Sequence, residues 1–191
     1  MAKSELREQY LAQRLALNAS DRNLRSEVIC QNLARFFEEQ GRFSQVCLFY
    51  AVRNEPVLEA LREGIGEHYR FALPVVQPER QMEFFAWHKN TVLQKNRFNI
   101  WEPSPSSSER VAIHSETALL VPAVAVDERG FRIGFGGGFY DTFMASHSQC
   151  TSIAVVFSEF YVKELPREEW DKNVDWICTE KGIVAAKAIG L

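Results

Sequence analysis

The sequence predicts an α/β fold, in which a three-layer α/β/α arrangement surrounds a largely parallel, Rossmann-like sheet. Three observations support this. Apolar runs of strand length alternate with segments of helical periodicity along the chain. Residues 118–126 are apolar throughout, which is typical of a buried strand. The 191 residues are 46% hydrophobic, enough for one domain with a full core, and no internal repeat is visible.

Two helices open the chain. Leu6, Tyr10 and Leu17 form an apolar stripe, which predicts a helix over about residues 3–18. Ser20 is the predicted N-cap of a second helix over residues 21–40, and Gly41 is its predicted end.

The remaining elements alternate between strands and helices. In chain order we predict a strand at 46–50, a loop at 53–56, a helix at 57–63, strands at 70–76, 82–87 and 118–126, a helix from Asp141, and strands at 152–157 and 174–179. Residues 101–110 contain two prolines and four serines, so we expect them to form a surface connection and the most flexible segment.

Residues 132–141 form a glycine loop, Arg-Ile-Gly-Phe-Gly-Gly-Gly-Phe-Tyr-Asp, between the 118–126 strand and a predicted helix. Bare backbone amides and a helix N-terminus together favour an anion such as phosphate. The loop fails the Gly-x-Gly-x-x-Gly pattern at Phe139, and it lacks the Gly-Lys-Ser/Thr end of a P-loop. It therefore predicts a phosphate-binding site but does not indicate which molecule carries the phosphate. The alternative is a tight turn with a purely structural role.

Three cations of the first helix share one edge. Lys3, Arg7 and Arg14 fall within roughly 40° of one another at about 100° per residue, beside the apolar stripe. One interpretation is a solvated face with Glu5 and Glu8 as partners, and the other is a triphosphate clamp that faces the glycine loop.

Composition excludes several classes of function. The formal net charge of -3 gives no basic surface for nucleic acid or an anionic membrane. Four scattered cysteines, without a Cys-x-x-Cys pair, indicate neither a zinc site nor a disulfide framework. No apolar run has transmembrane length and the N-terminus lacks a signal-peptide core, so we expect a cytoplasmic protein, and a monomer by default.

Several separated segments together resemble the 5-formyltetrahydrofolate cyclo-ligase family, also called methenyltetrahydrofolate synthetases. These segments, in the family's order, are Lys3-Ser-Glu-Leu-Arg7 with Arg14, Tyr50 with Glu55, Leu73-Pro74, Ile100-Trp-Glu-Pro103, Val121 to Asp127, the 132–141 loop, and Trp170-Asp171 with Val174-Asp175. The resemblance extends over nearly the whole chain.

The resemblance implies one cyclo-ligase domain over residues 1–191, with a fold like that of sugar-phosphate isomerases and CoA-transferases. It implies an enzyme of folate one-carbon metabolism that uses ATP and Mg²⁺ to cyclise 5-formyltetrahydrofolate to 5,10-methenyltetrahydrofolate, releasing ADP and phosphate. The formyl oxygen attacks the γ-phosphate and N10 closes the ring, so no protein nucleophile is needed. This agrees with four widely separated histidines and no Ser/His/Asp or Cys/His pattern.

The resemblance also implies roles for individual residues. The ATP-binding residues are Lys3, Ser4, Glu5, Leu6, Arg7, Arg132, Ile133, Gly134, Phe135, Gly136, Gly137, Gly138, Phe139, Tyr140 and Asp141, with Arg14 as a helper. Arg132 and Tyr140 are the catalytic residues. Tyr50, Glu55, Phe98 and Tyr140 would bind the folate, with Trp101 as a second aromatic wall, and Asp141 and Asp171 would hold Mg²⁺.

Two positions depart from the family pattern, and two other functions stay open. Phe135 stands where relatives often have Tyr or Arg, and Phe139 where many have Tyr. The alternatives are a non-catalytic folate-binding module and a sugar-phosphate isomerase-like enzyme. The former would bind folate without turnover, and the latter would not depend on ATP.

Overall fold

The computed structural model describes residues 2–66 and 68–188. Its helices are α1 Lys3–Leu15, α2 Ala19–Gln40, α3 Glu59–Gly64 and α4 Phe139–Ser146, with a 3₁₀ turn at Ser158–Phe160. Both predicted N-terminal helices are confirmed, although α2 begins earlier than expected. Asn18, not Ser20, is its N-cap, because the Asn18 side chain accepts a hydrogen bond from the Ser20 amide at 2.8 Å. Gly41 ends α2 in the left-handed conformation at φ 59°, as predicted.

Twelve strands among the described residues complete the fold. In chain order they are β1 Gln45–Cys47, β2 Arg70–Val76, β3 Met82–Ala86, β4 Leu93–Lys95, β5 Trp101–Pro103, β6 Thr117–Pro122, β7 Ala125–Asp127, β8 Arg132–Ile133, β9 Thr151–Val155, β10 Tyr161–Val162, β11 Trp176–Thr179 and β12 Gly182–Ala185.

The central sheet has seven strands in the order β12-β11-β9-β6-β1-β2-β3. The neighbours from β11 to β2 pair in parallel, and only the edge strands β12 and β3 are antiparallel. The predicted largely parallel sheet is confirmed. None of the helices among the described residues is both long and apolar enough to cross a bilayer.

Helices cover both faces of this sheet, which confirms the three predicted layers. On α2, the Phe36 ring lies 4.9 Å from that of Trp176, and on α4 the Phe143 ring lies 5.2 Å from that of Phe84. The strand register places Trp176 and Phe84 on opposite faces of the sheet, because residues paired across parallel or antiparallel strands share a face. In open α/β sheets of this kind, ligands bind beyond the carboxyl ends of the parallel strands.

The predicted single strand at 118–126 is wrong. It divides into β6, which belongs to the central sheet, and β7, which joins the separate sheet β10-β7-β8. Pro122 at the end of β6 has no amide hydrogen for continued pairing, and the Val124 amide donates instead to the Ile133 carbonyl at 2.7 Å. This turn brings β8, and with it the glycine loop, to the carboxyl end of the sheet.

The prediction for residues 101–110 is also wrong in part. Residues 101–103 form β5, which pairs antiparallel with β4, a strand that sequence periodicity did not predict. The buried Glu102 carboxylate accepts hydrogen bonds from the Asn96 side chain at 2.9 Å and the Val76 amide at 3.4 Å. These bonds hold the β4–β5 hairpin against β2.

Candidate active site

Helix α1 brings two of its cations to the glycine loop and the segment that follows β10. Arg7 Nε donates to the Gly134 carbonyl at 2.7 Å, and Lys3 Nζ pairs with Asp171 Oδ2. The partners of these cations therefore lie in distant segments, not on their own helix. Glu5 instead accepts a hydrogen bond from the Ala2 amide at 2.9 Å. The interpretation of this edge as a merely solvated helix face is wrong.

The other predicted ATP-binding residues near these cations differ in how far they are buried. The side chains of Ser4 and Glu5 are exposed. Leu6 packs against the core and lines a surface cleft of about 490 Å³ with Phe131 and Leu165. Ile133 is fully buried in β8, so its side chain serves the core.

The glycine loop opens the N-terminus of α4. Gly136 and Gly138 have φ values of 94° and 71°, which side chains with a Cβ rarely adopt. Gly138 is the N-cap of α4, and no side chain within residues 2–66 and 68–188 caps the helix by a hydrogen bond. The first bond of the helix runs from the Thr142 amide to the Gly138 carbonyl at 3.0 Å. The unpaired amides of the preceding turn are therefore suited to an anion.

Arg132 links the loop to the segment around Asp171. Its guanidinium lies 3.1 Å from Asp141 Oδ1 and donates to the Lys172 carbonyl at 2.7 Å, while the Lys172 amide donates to the same Asp141 oxygen at 3.0 Å. Burial lowers the pKa of Arg132, and the charges of Asp141, Tyr140 and Asp171 oppose that shift. The predicted catalytic and metal-binding residues thus form one cluster.

The two predicted metal ligands are compatible with Mg²⁺. Asp141 uses Oδ1 and Asp171 uses Oδ2 in their hydrogen bonds, so the second oxygen of each carboxylate has no hydrogen bond to the described residues. Mg²⁺ commonly takes one or two carboxylates together with phosphate oxygens of a substrate. No group of three or more His, Cys, Asp or Glu side chains among the described residues could hold an ion by itself. The donor set therefore fits an ion that arrives with a nucleotide.

Arg14 is placed differently from Lys3 and Arg7. It is only 1% exposed and donates to the carbonyls of Arg53 at 3.0 Å and Ala123 at 2.8 Å. Its Nη2 lies 3.7 Å from Oε1 of Glu55. Arg14 therefore belongs with Glu55, and its hydrogen bonds do not support the predicted role as a phosphate helper.

Glu55 is a buried carboxylate with one free oxygen. The residue is 2% exposed, and its Oε2 accepts a hydrogen bond from the Val52 amide at 3.0 Å. Burial raises the pKa of Glu55 to about 7, although Arg14, the Val52 amide and Arg53 act in the opposite direction.

Three polar atoms at this place are buried without a hydrogen bond in the part of the chain that the structure describes: Arg14 Nη2, Glu55 Oε1 and the Tyr140 hydroxyl. Burial, followed by the charge of Glu55, raises the pKa of Tyr140. Because unpaired buried polar groups are costly, such a cluster indicates a site completed by a polar ligand.

The predicted aromatic residues separate into two sets. The ring of Phe98, at the tip of the β4–β5 hairpin, lies 6.0 Å from that of Phe139 in an edge-to-face arrangement. Burial and the charge of Glu59 raise the pKa of Tyr50, which follows β1. Trp101 instead packs against Lys95 of its own hairpin, and Lys95 Nζ lies 5.1 Å from the centre of the Trp101 ring.

Sequence reasoning missed two arginines beside the loop. The Arg53 guanidinium lies 5.1 Å from the centre of the exposed Phe135 ring. The Arg80 side chain lies against Gly138. Arg80 lies outside every motif, and Arg53 is an unspecified position between Tyr50 and Glu55, so only the fold brings them to the site.

The sequence matches the model of the 5-formyltetrahydrofolate cyclo-ligase family over residues 1–180. The chain belongs to this family. Among curated cyclo-ligases it is 31% identical to that of Mycolicibacterium smegmatis, covering 97% of this chain and 98% of the relative. It is 29% identical to the cyclo-ligase of Haemophilus influenzae, covering 70% of this chain and 74% of that protein.

Solved structures of cyclo-ligase relatives have the same fold. The solution structure of Aquifex aeolicus 5,10-methenyltetrahydrofolate synthetase matches with a TM-score of 0.82 at 29% identity, covering 100% of this chain and 96% of the other. The synthetase of Mycoplasma pneumoniae matches with a TM-score of 0.76 at 20% identity, covering 94% and 99%. The predicted family resemblance is thereby confirmed.

Proposed function

We propose that the protein catalyses the ATP-dependent cyclisation of 5-formyltetrahydrofolate to 5,10-methenyltetrahydrofolate, with release of ADP and phosphate. Family membership supports the reaction. One observation carries the assignment of the site: Tyr140 stands in the first turn of α4, directly after the glycine loop, and its hydroxyl, like Oε1 of Glu55, is buried without a hydrogen bond among the described residues. A phosphate site and a buried polar pocket therefore meet at a single residue.

The reaction needs two steps between bound reactants. The formyl oxygen attacks the γ-phosphorus, and the bond from that phosphorus to the bridging oxygen breaks as ADP leaves. The N10 nitrogen then attacks the activated formyl carbon and loses its proton, and the carbon–oxygen bond breaks as phosphate leaves. The protein must align the reactants and stabilise the developing charge, and it needs no covalent nucleophile.

The phosphate side consists of amides and cations. The free first-turn amides of α4 would bind phosphate oxygens, and Lys3, Arg7 and Arg132 would offset their negative charge. Because Arg7 is hydrogen-bonded to the Gly134 carbonyl, its guanidinium is oriented before a nucleotide binds. Bound Mg²⁺, held by Asp141 and Asp171, would neutralise charge on the β- and γ-phosphate oxygens.

The folate side consists of the buried polar cluster. The free oxygen of Glu55 would accept hydrogen bonds from the paired N–H donors of the pterin edge, while Arg14 holds that carboxylate in position. Its raised pKa keeps the Tyr140 hydroxyl protonated, so it would donate to the formyl oxygen as negative charge develops there. Tyr50 and Phe98 would contact the aromatic parts of the folate.

The proposal extends to the protein's surroundings. A net charge of -3 favours neither nucleic acid nor an anionic membrane, and all four cysteines are buried free thiols, as expected in the reducing cytoplasm. We propose a cytoplasmic monomer whose partners are its two small-molecule substrates.

A product assay tests the proposed reaction. The protein is mixed with 5-formyltetrahydrofolate, with and without Mg-ATP, and the near-ultraviolet absorbance of the methenyl product is followed. Product should form only when both ATP and Mg²⁺ are present. Failure to form product under any Mg-ATP condition contradicts the proposal. Folate binding without turnover would favour a non-catalytic module, and turnover of a sugar phosphate without ATP would favour an isomerase.

A further inference from the structure

The glycine loop has no charged side chain of its own between Ile133 and Asp141. Apart from Arg132 at the start of the loop, positive charge for a bound phosphate must therefore come from other segments. Arg7 contacts the loop at Gly134, the first residue after β8. The opposite end of the loop, at Gly138, is the N-cap of α4, and a different segment supplies a cation there.

That cation is Arg80, on the turn that joins β2 to β3. A Cβ atom placed on Gly138 would lie 3.5 Å from the Arg80 Cδ and 3.6 Å from its Nη1. The Arg80 side chain therefore lies beside the backbone at the N-cap, at distances that are ordinary van der Waals contacts for such a Cβ. The contact involves the end of the arginine side chain, where its charge resides.

The backbone conformation of this turn is unusual for the residue types that form it. Glu79 and Arg80 have φ values of 56° and 59°, and the Gln81 amide donates to the Pro78 carbonyl at 3.1 Å. Two successive left-handed residues favour Asn and Gly, so Glu79 and Arg80 are poor choices for the turn alone. A residue whose type disfavours the backbone conformation that it adopts often has another role.

The charges around Arg80 also favour an anion. No ion pair within the described ranges includes Arg80. Its neighbour, the uncapped N-terminus of α4, is the positive end of a helix dipole. A cation beside a positive helix end is unfavourable in isolation, whereas a bound phosphate would make both contacts favourable.

We infer that Arg80 binds the phosphate chain of ATP, at the α4 end of the glycine loop, while Arg7 acts at the β8 end. This inference rests on the proposed ATP-dependent function. It assigns the β2–β3 turn to the nucleotide site, so the two arginines would hold the polyphosphate from separate segments.

The test compares three variants by calorimetric titration with the Mg²⁺ complex of the β,γ-imido analogue of ATP and, separately, with 5-formyltetrahydrofolate. Arg80→Ala should bind the nucleotide roughly tenfold more weakly, because it loses a charge-assisted contact, and Arg80→Lys should lose less. The matched control is Arg70→Ala, at the other end of β2, where Arg70 pairs on the surface with Glu109 at 3.3 Å. It should bind both ligands like the wild type.

The outcomes distinguish a failure of the inference alone from a failure of the proposed function. Equal nucleotide affinity of Arg80→Ala and Arg70→Ala would overturn the role of Arg80 and leave the proposed reaction intact. If Arg80→Ala weakens only the binding of folate, Arg80 belongs with the folate carboxylates, and the inference is overturned. Equal losses of affinity for nucleotide and folate would also overturn the inference. If the wild type itself does not bind the nucleotide, the proposed function fails together with the inference.

Discussion

Binding of 5-formyltetrahydrofolate should weaken as the pH falls below 7, because the folate needs an ionised Glu55. Burial raises the pKa of this carboxyl to about 7 in the free protein. Hydrogen bonds from the pterin N–H donors favour the carboxylate, so folate binding should lower that pKa and release a proton at acidic pH. The free oxygen of Glu55, which has no hydrogen bond from any described residue, is the acceptor available for these donors.

The size of the effect follows from the fraction of Glu55 that is ionised. With a pKa of about 7, affinity should fall about tenfold between pH 8 and pH 6, and about tenfold again by pH 5. Titration calorimetry without nucleotide measures this, since the phosphates of ATP also titrate in this range. Repeating it in buffers of different ionisation enthalpy measures the proton released.

Two variants separate Glu55 from other carboxylates. Glu55→Gln should bind folate weakly with little pH dependence, whereas Glu63→Gln, on the exposed side of α3, should keep the wild-type profile. A wild-type affinity that stays constant between pH 8 and pH 5.5 would refute the reasoning. So would an undiminished pH dependence in Glu55→Gln.

The same shift affects folding with a defined sign. A carboxyl whose pKa is raised in the folded state contributes its full stability below its unfolded pKa, and this contribution is lost as the pH rises through about 7. Denaturant unfolding should therefore find that Glu55→Gln becomes more stable relative to the wild type as the pH rises from 5 to 8.

Two further predictions concern the phosphate side and the fold. Lys3→Ala and Arg7→Ala should weaken nucleotide binding much more than folate binding, whereas Arg35→Ala on the exposed face of α2 should change neither; equal losses for both ligands would contradict the assigned roles. Gly130→Ala should cost at least about 2 kcal/mol in denaturant unfolding, because φ is 83° and the new Cβ would lie 2.5 Å from a carbonyl oxygen. Gly64→Ala has open space and should be neutral or stabilising, so equal stabilities of the two variants would refute this explanation.

In the proposed reaction, the convergence of distant cations on an open helix N-terminus would let the site act without a nucleophile. Lys3 and Arg7 come from α1, Arg132 from β8 and Arg80 from the β2–β3 turn. Lys3, Arg7 and Arg132 are each held by a polar contact that does not depend on ligand, so they need little reorganisation when a phosphate binds. Such preorganised charge is an effective way to stabilise a phosphoryl-transfer transition state.

Local patterns in the sequence determined much of this protein. Alternating apolar runs predicted the parallel sheet, the stripe of Leu6 and Tyr10 predicted α1, and the glycine run predicted the loop before α4. These features depend on residues that are neighbours in the chain, so their periodicity and backbone preferences are visible without a fold. The segments that resemble the cyclo-ligase family were visible for the same reason.

Only the tertiary structure decided which of these residues meet. It paired Arg14 with Glu55, and it placed Arg80 beside Gly138. It also divided residues 118–126 between two sheets, because the Val124 amide bonds to a carbonyl of β8. These contacts join residues far apart in the chain, and burial and hydrogen bonding set their strength, so no local pattern could reveal them.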